Sequence, residues 1–133
     1  MKTILTLLVT ILITSNSYAQ KEKSILDGQS FKIDIVEKNK IGKDDEMTDV
    51  IYFRAGKVYT KFSRNNGYPD AEYSTTSKDG MMTLIINFKG ECKGKKYIMN
   101  WEGIINGDDI EGSAIVMKKG TIRTIYKFKG TLK

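Results

Sequence analysis

From residue 29 onward, apolar residues recur at every second position in segment after segment, as in Phe31, Ile33, Ile35 and again in Leu84, Ile86, Phe88. No stretch of useful length keeps the spacing of three and four that would give a helix one buried face. The alternation predicts strands over 29–37, 48–54, 57–63, 70–78, 81–89, 95–106, 109–118 and 121–132. Most are separated by a few Gly-, Asp- or Asn-containing residues, which is the spacing of a meander.

The turns carry register as well as direction. Asp79-Gly80 suits a two-residue type I′ turn and predicts Tyr73 against Ile86, Thr75 against Leu84 and Ala71 against Phe88. "RAGK" predicts Phe53 opposite Val58 and Ile51 opposite Thr60. "MKKGT" with a three-residue loop places Val116 on Ile122, Gly112 on Tyr126 and Ile110 on Phe128, because a slip of one residue would turn a strand inside out. For "WEGIINGDDIEG" two turns are open: Asn106-Gly107 sets Trp101 opposite Gly112, and Gly107-Asp108 sets it opposite Ala114.

One all-β domain is expected over 20–133. It is an eight-stranded antiparallel meander that closes into a small up-and-down barrel, with a two-sheet β-sandwich as the alternative. Closure removes exposed edges and lets the Phe128–Leu132 end return to the first strand near Phe31–Val36.

Composition changes this picture mainly at the N-terminus. "MKTILTLLVTILITSNSYAQ" has a basic start at Lys2, an apolar run over 4–13 and small residues Ser17 and Ala19, so 1–19 reads as a secretory signal peptide. The run is about half the ~20 residues that span a bilayer. The expected product is exported, periplasmic or secreted, with no integral membrane span after cleavage. Cys92 is the only cysteine, so the core stands on packing without an internal disulfide. The net charge of +6 comes from lysines spread along the chain, which argues against a nucleic-acid partner and for a mild preference for anionic partners or membrane surface.

The late segment Trp101, Gly103, Ile105, Gly107, Asp108, Ile110, Gly112 resembles the last hairpins of small exported lipocalin-like barrels of the calycin type. The resemblance covers the last third of the chain and implies a barrel that holds a small apolar molecule. At the first strand this chain has "DGQSFKID", with Phe31 and no Trp, where true lipocalins carry G-x-W.

Candidate chemistry is sparse. The chain has no His, which removes serine triads, Cys-His pairs and His-based metal sites. The carboxylate runs Asp44–Asp49 and Asp108–Glu111 are accounted for by loop and turn roles, so no catalytic residue, metal or cofactor is expected. The long polar connection containing Ile41, and "SRNNGYPD" over 63–70, share one mouth of the meander and are candidate lids.

Two functions stay open. In the first, a small apolar or amphipathic ligand lies in the interior against Trp101, Tyr126, Tyr73, Met99 and Gly112, where small residues leave room beside large aromatics. In the second, the same aromatics fill a solid core, and an inhibitor or envelope accessory protein acts through loops and basic surface.

Overall fold

The computed structural model describes residues 25–38, 46–94 and 96–133. The expected signal segment, Ile41 and the Asp44-Asp45 pair lie outside these. Eight antiparallel strands follow in chain order: β1 (Ser30–Glu37), β2 (Glu46–Arg54), β3 (Lys57–Thr60), β4 (Ala71–Asp79), β5 (Leu84–Glu91), β6 (Tyr97–Asn106), β7 (Asp109–Lys118) and β8 (Thr121–Leu132). Each pairs with the next, and β8 pairs back onto β1 from Phe31↔Leu132 to Glu37↔Tyr126, closing the sheet into a barrel-like ring. The closed alternative therefore holds over the sandwich.

The β2–β3 hairpin follows the expected register, Phe53↔Val58 and Ile51↔Thr60. Ala55 and Gly56 both adopt positive φ, 49° and 74°, as a type I′ turn requires. Of the two turns open for the Trp hairpin, the chain uses Gly107-Asp108, and Trp101 opposes Ala114.

Three expectations are corrected. The third strand stops at Thr60, and α1 (Lys61–Asn65), a single helical turn, replaces its end. The reason is a capping box: Thr60 Oγ1 accepts the Ser63 N–H at 3.0 Å, and Ser63 Oγ accepts the Thr60 N–H at 2.9 Å. In the β4–β5 hairpin the loop spans Gly80–Thr83, closed by the Gly80 N–H on the Thr83 carbonyl at 2.8 Å. Phe88 then opposes Thr75 and Ile86 opposes Ser77, four residues along β4 from the expected partners. This register sets Gly90 opposite Tyr73, at a place where a Cβ would meet Val58 Cγ1 at 2.5 Å. Met81 and Met82 are left fully exposed in the loop, and Leu84 is partly exposed at the rim.

The third correction concerns the last hairpin. Its turn has two residues, Lys119 and Gly120, at φ 51° and 78°. A bulge between Val116 and Met117 makes the β7–β8 register skip Arg123 and restores the phase, so that Val116 opposes Thr124 and Gly112 opposes Phe128. Tyr126 opposes Ala114, not Gly112, and Ile122, expected in the core, is turned outward against Met117 and is 52% exposed.

Both ends of the barrel are filled. At the lower end Leu26 is fully buried, and the Asp27 carboxylate accepts the Gly56 N–H and the Tyr73 hydroxyl. At the upper end α1 lays Phe62 over the core, its N–H donating to Asp49 Oδ2 at 2.9 Å. Arg64 clamps α1 from outside, 3.5 Å above the Tyr59 ring and paired with Asp70 at 2.7 Å, which buries Tyr59 although it faces outward. No helix among the described residues is long and apolar enough to cross a membrane.

Candidate functional site

The interior around Trp101 is built from two adjacent rows of inward positions. One row across β5, β6, β7 and β8 reads Gly90, Trp101, Ala114, Tyr126. The next reads Phe88, Gly103, Gly112, Phe128. In the first the indole lies between two small neighbours; in the second two rings fold over two glycines. A Cβ on Gly103 would meet Phe88 Cζ at 2.7 Å, and one on Gly112 would meet Phe128 Cζ at 2.8 Å and the Glu102 carbonyl at 2.2 Å. The space that the small residues leave in sequence is taken up by the neighbouring aromatics.

Three of the five expected ligand-site residues come together. Trp101, Met99 and Tyr126 meet with Ile35, Phe62, Ala114 and Phe128 around a void of about 10 Å³, room for about one water. Trp101 is 4% exposed and packs against Phe128 with ring centroids 5.9 Å apart; Phe62 meets Tyr126 edge-on at 5.2 Å. Gly112 is not part of this lining, since Phe128 covers it. Tyr73 belongs to the lower end, where its hydroxyl donates to Asp27 Oδ1 at 2.5 Å. Burial, then that hydrogen bond and the Asp27 charge, hold the Tyr73 phenol far above the ordinary tyrosine range.

The upper rim gathers groups that the alternation did not mark. Tyr68 lies near Tyr97 and Glu37; burial, then those two groups, raise its pKa. Lys118 stands over the Tyr97 ring at 5.1 Å. A hydrogen bond from Lys118, with Lys96 and Arg123 nearby, lowers the pKa of the exposed Tyr97 phenol. Cys92 is half-buried at this end, its thiol donating to the Met99 and Pro69 carbonyls at 3.3 and 3.4 Å, and burial raises its pKa. That is the opposite of an activated nucleophile.

Of the carboxylates weighed in the sequence, Asp49 is occupied by the Val50 and Phe62 amides, and Asp108 sits in the exposed Gly107-Asp108 turn. Among the described residues no three His, Cys, Asp or Glu side chains are placed to share a metal ion.

The larger recess is outside the wall. An open cleft of about 760 Å³ runs over the outer faces of β5, β6, β7, β8 and β1, lined by Lys89, Glu102, Glu111, Lys129 and Asp34 around Ile104 and Val36. Opposite charges face one another across the strands there, Lys89 on Glu102 and Glu111 on Lys129 on Asp34, and Lys127 Nζ donates to Ser113 Oγ at 3.0 Å. The chain matches no family model, no curated protein and no solved structure.

Proposed function

We propose that this chain is an exported, non-enzymatic binding module that works through its outer surface rather than through a ligand held inside the barrel. The observation that carries the proposal is the size of the void at the aromatic cluster, about 10 Å³ where a small-molecule site needs several hundred. The lack of any His in the chain and the raised, carbonyl-bonded Cys92 thiol support the non-enzymatic part. The N-terminal basic and apolar pattern supports export.

A second reading, an apolar or amphipathic ligand in the interior, is favoured by one feature. Phe62, which borders the void, sits on α1, a single turn, so that displacing this turn would open the core from above.

Trp101 emission separates the two. Titration of the wild-type protein with fatty acids or a hydrophobic dye is expected to give no saturable change, and Phe62→Ala, which enlarges the void beside the indole, is expected to respond. A saturable shift in the wild type would overturn the surface reading.

A further inference from the structure

The surface role just proposed is here given a partner class, and the inference rests on that role. The bulge at Arg123 reverses the facing of Ile122, which alternation from Phe128 would otherwise place inside. Ile122 instead joins Met117 and Ile98 in one outward row across β8, β7 and β6. The next outward row holds Ile125, Ile115 and Asn100. Asn100 is tied in place, accepting the Cys92 N–H at 3.0 Å and donating to Met117 sulfur at 3.8 Å. The result is an apolar strip three strands wide on the outside of the barrel.

Cations border this strip. Lys118 ends β7 beside it, Lys119 opens the turn, Arg123 lies at the bulge, and Lys96 stands near Tyr97 at the start of β6. Lys38 lies at its other edge, its N–H donating to the Ile125 carbonyl at 2.9 Å. From Ser113 to Lys133 the sequence has six Lys or Arg and no Asp or Glu. Glu37, the nearest acid on β1, opposes Tyr126 on the inward side. The lower outer face cancels its own charge strand by strand, and Glu91 is exposed at the upper end of β5 beside β6, so the positive field concentrates at the upper end of β7 and β8.

We infer that this upper face docks on an anionic lipid surface. An apolar strip edged by long basic side chains, with Tyr97 at the boundary, matches the layering of a headgroup region: isoleucines toward the acyl chains, ammonium groups snorkelling to the phosphates. Lys is depleted at protein–protein contacts relative to the rest of the surface, whereas four Lys border this strip.

The test is cosedimentation of the protein, as processed by an exporting host, with vesicles of phosphatidylcholine alone or mixed with phosphatidylglycerol. Binding is expected only with the anionic mixture, weakening as salt is raised. Lys118→Gln with Lys119→Asn is expected to weaken it about tenfold or more. Ile122→Ser is expected to weaken it several-fold without moving the thermal transition, since Ile122 is exposed. Ile104→Ser, on the charge-balanced face, is the control and should bind as wild type.

Equal binding to both vesicle types, or no binding, overturns the inference; so does binding that ignores the Lys118/Lys119 and Ile122 changes. Binding to soluble polyglutamate but not to vesicles overturns it in favour of an acidic protein partner. None of these outcomes touches the Trp101 titration, so the failure of the surface role and of its lipid assignment are distinguishable.

Discussion

Tyr73 shows how one side chain links the chain's beginning to the barrel. Its hydroxyl reaches Asp27, forty-six positions away, and Asp27 in turn receives the Gly56 amide, so the segment that buries Leu26 is latched to two hairpins. Tyr73→Phe is expected to cost about 1–2 kcal/mol at neutral pH, read from urea unfolding. The pH dependence has a definite sign. The folded phenol keeps its proton above the ordinary value of 10.0, while the unfolded chain releases it there. The native state then binds more protons than the unfolded state, and stability falls as pH rises past about 10. The gap between wild type and Tyr73→Phe should therefore be full below that pH and close above it; a gap that widens would contradict the latch. Cys92 gives a second test at this scale. With its thiol bonded to two carbonyls and its pKa raised by burial, native Cys92 is expected to react with a disulfide reagent at about a tenth or less of its rate in denaturant.

Among the elements, the single-turn α1 is the most dependent on its cap. Three amides at its start are satisfied by side chains of Thr60, Ser63 and Asp49, with Thr60 and Ser63 both buried. Thr60→Ala is expected to cost about 1–2 kcal/mol and to raise binding of a hydrophobic dye, because releasing the cap loosens Phe62. Unchanged stability together with unchanged dye binding would mean that α1 holds without it. The sequence "TKFS" carried this signal, yet the alternation of Val58, Thr60 and Phe62 reads equally well as a strand, and the pattern won over the cap. A related ambiguity explains the two registers that moved. A period of two detects slips of one residue, which invert a face, but is blind to slips of two or four. Phe88 and Phe128 thus face inward as expected while opposing Thr75 and Gly112 instead of Ala71 and Ile110. The number, order and closure of the strands were legible because edges and apolar faces constrain them strongly. The meeting of Trp101, Met99 and Tyr126 was legible for the same reason. Whether they enclose room was not, because that depends on how Phe88 and Phe128 lie over Gly103 and Gly112. The bulge at Arg123 left no mark in the pattern, and with it the outward strip around Ile122 stayed hidden.

For the whole molecule the seam between β8 and β1 decides whether there is an inside at all. The two strands approach so closely at Gly130 that a Cβ there would lie 1.8 Å from the Lys32 carbonyl oxygen and 2.7 Å from Ile33 Cα. Both contacts are backbone, so no rotamer change relieves them, and Gly130 is opposed by Ile33 on one side and Ile110 on the other. Gly130→Ala must part the strands, and the expected loss is about 3 kcal/mol or more, the upper end of what overpacking costs. The damage should be local before it is global. Amide exchange is expected to quicken first along β1 and β8, while the β6–β7 ladder around Trp101 stays protected near the global limit. Parting the seam also bares two strand edges, so the variant should associate at concentrations where the wild type does not. Exchange that quickens evenly around the ring would mean that closure is spread over every strand pair instead of resting on this contact. The same seam bears on the proposed surface role: with β8 fixed to β1, Leu26 below and Phe62 above, the partner proposed above would meet the molecule on its outer wall. On that proposal, Gly130→Ala should impair vesicle binding at the upper face only to the extent that it frays β8.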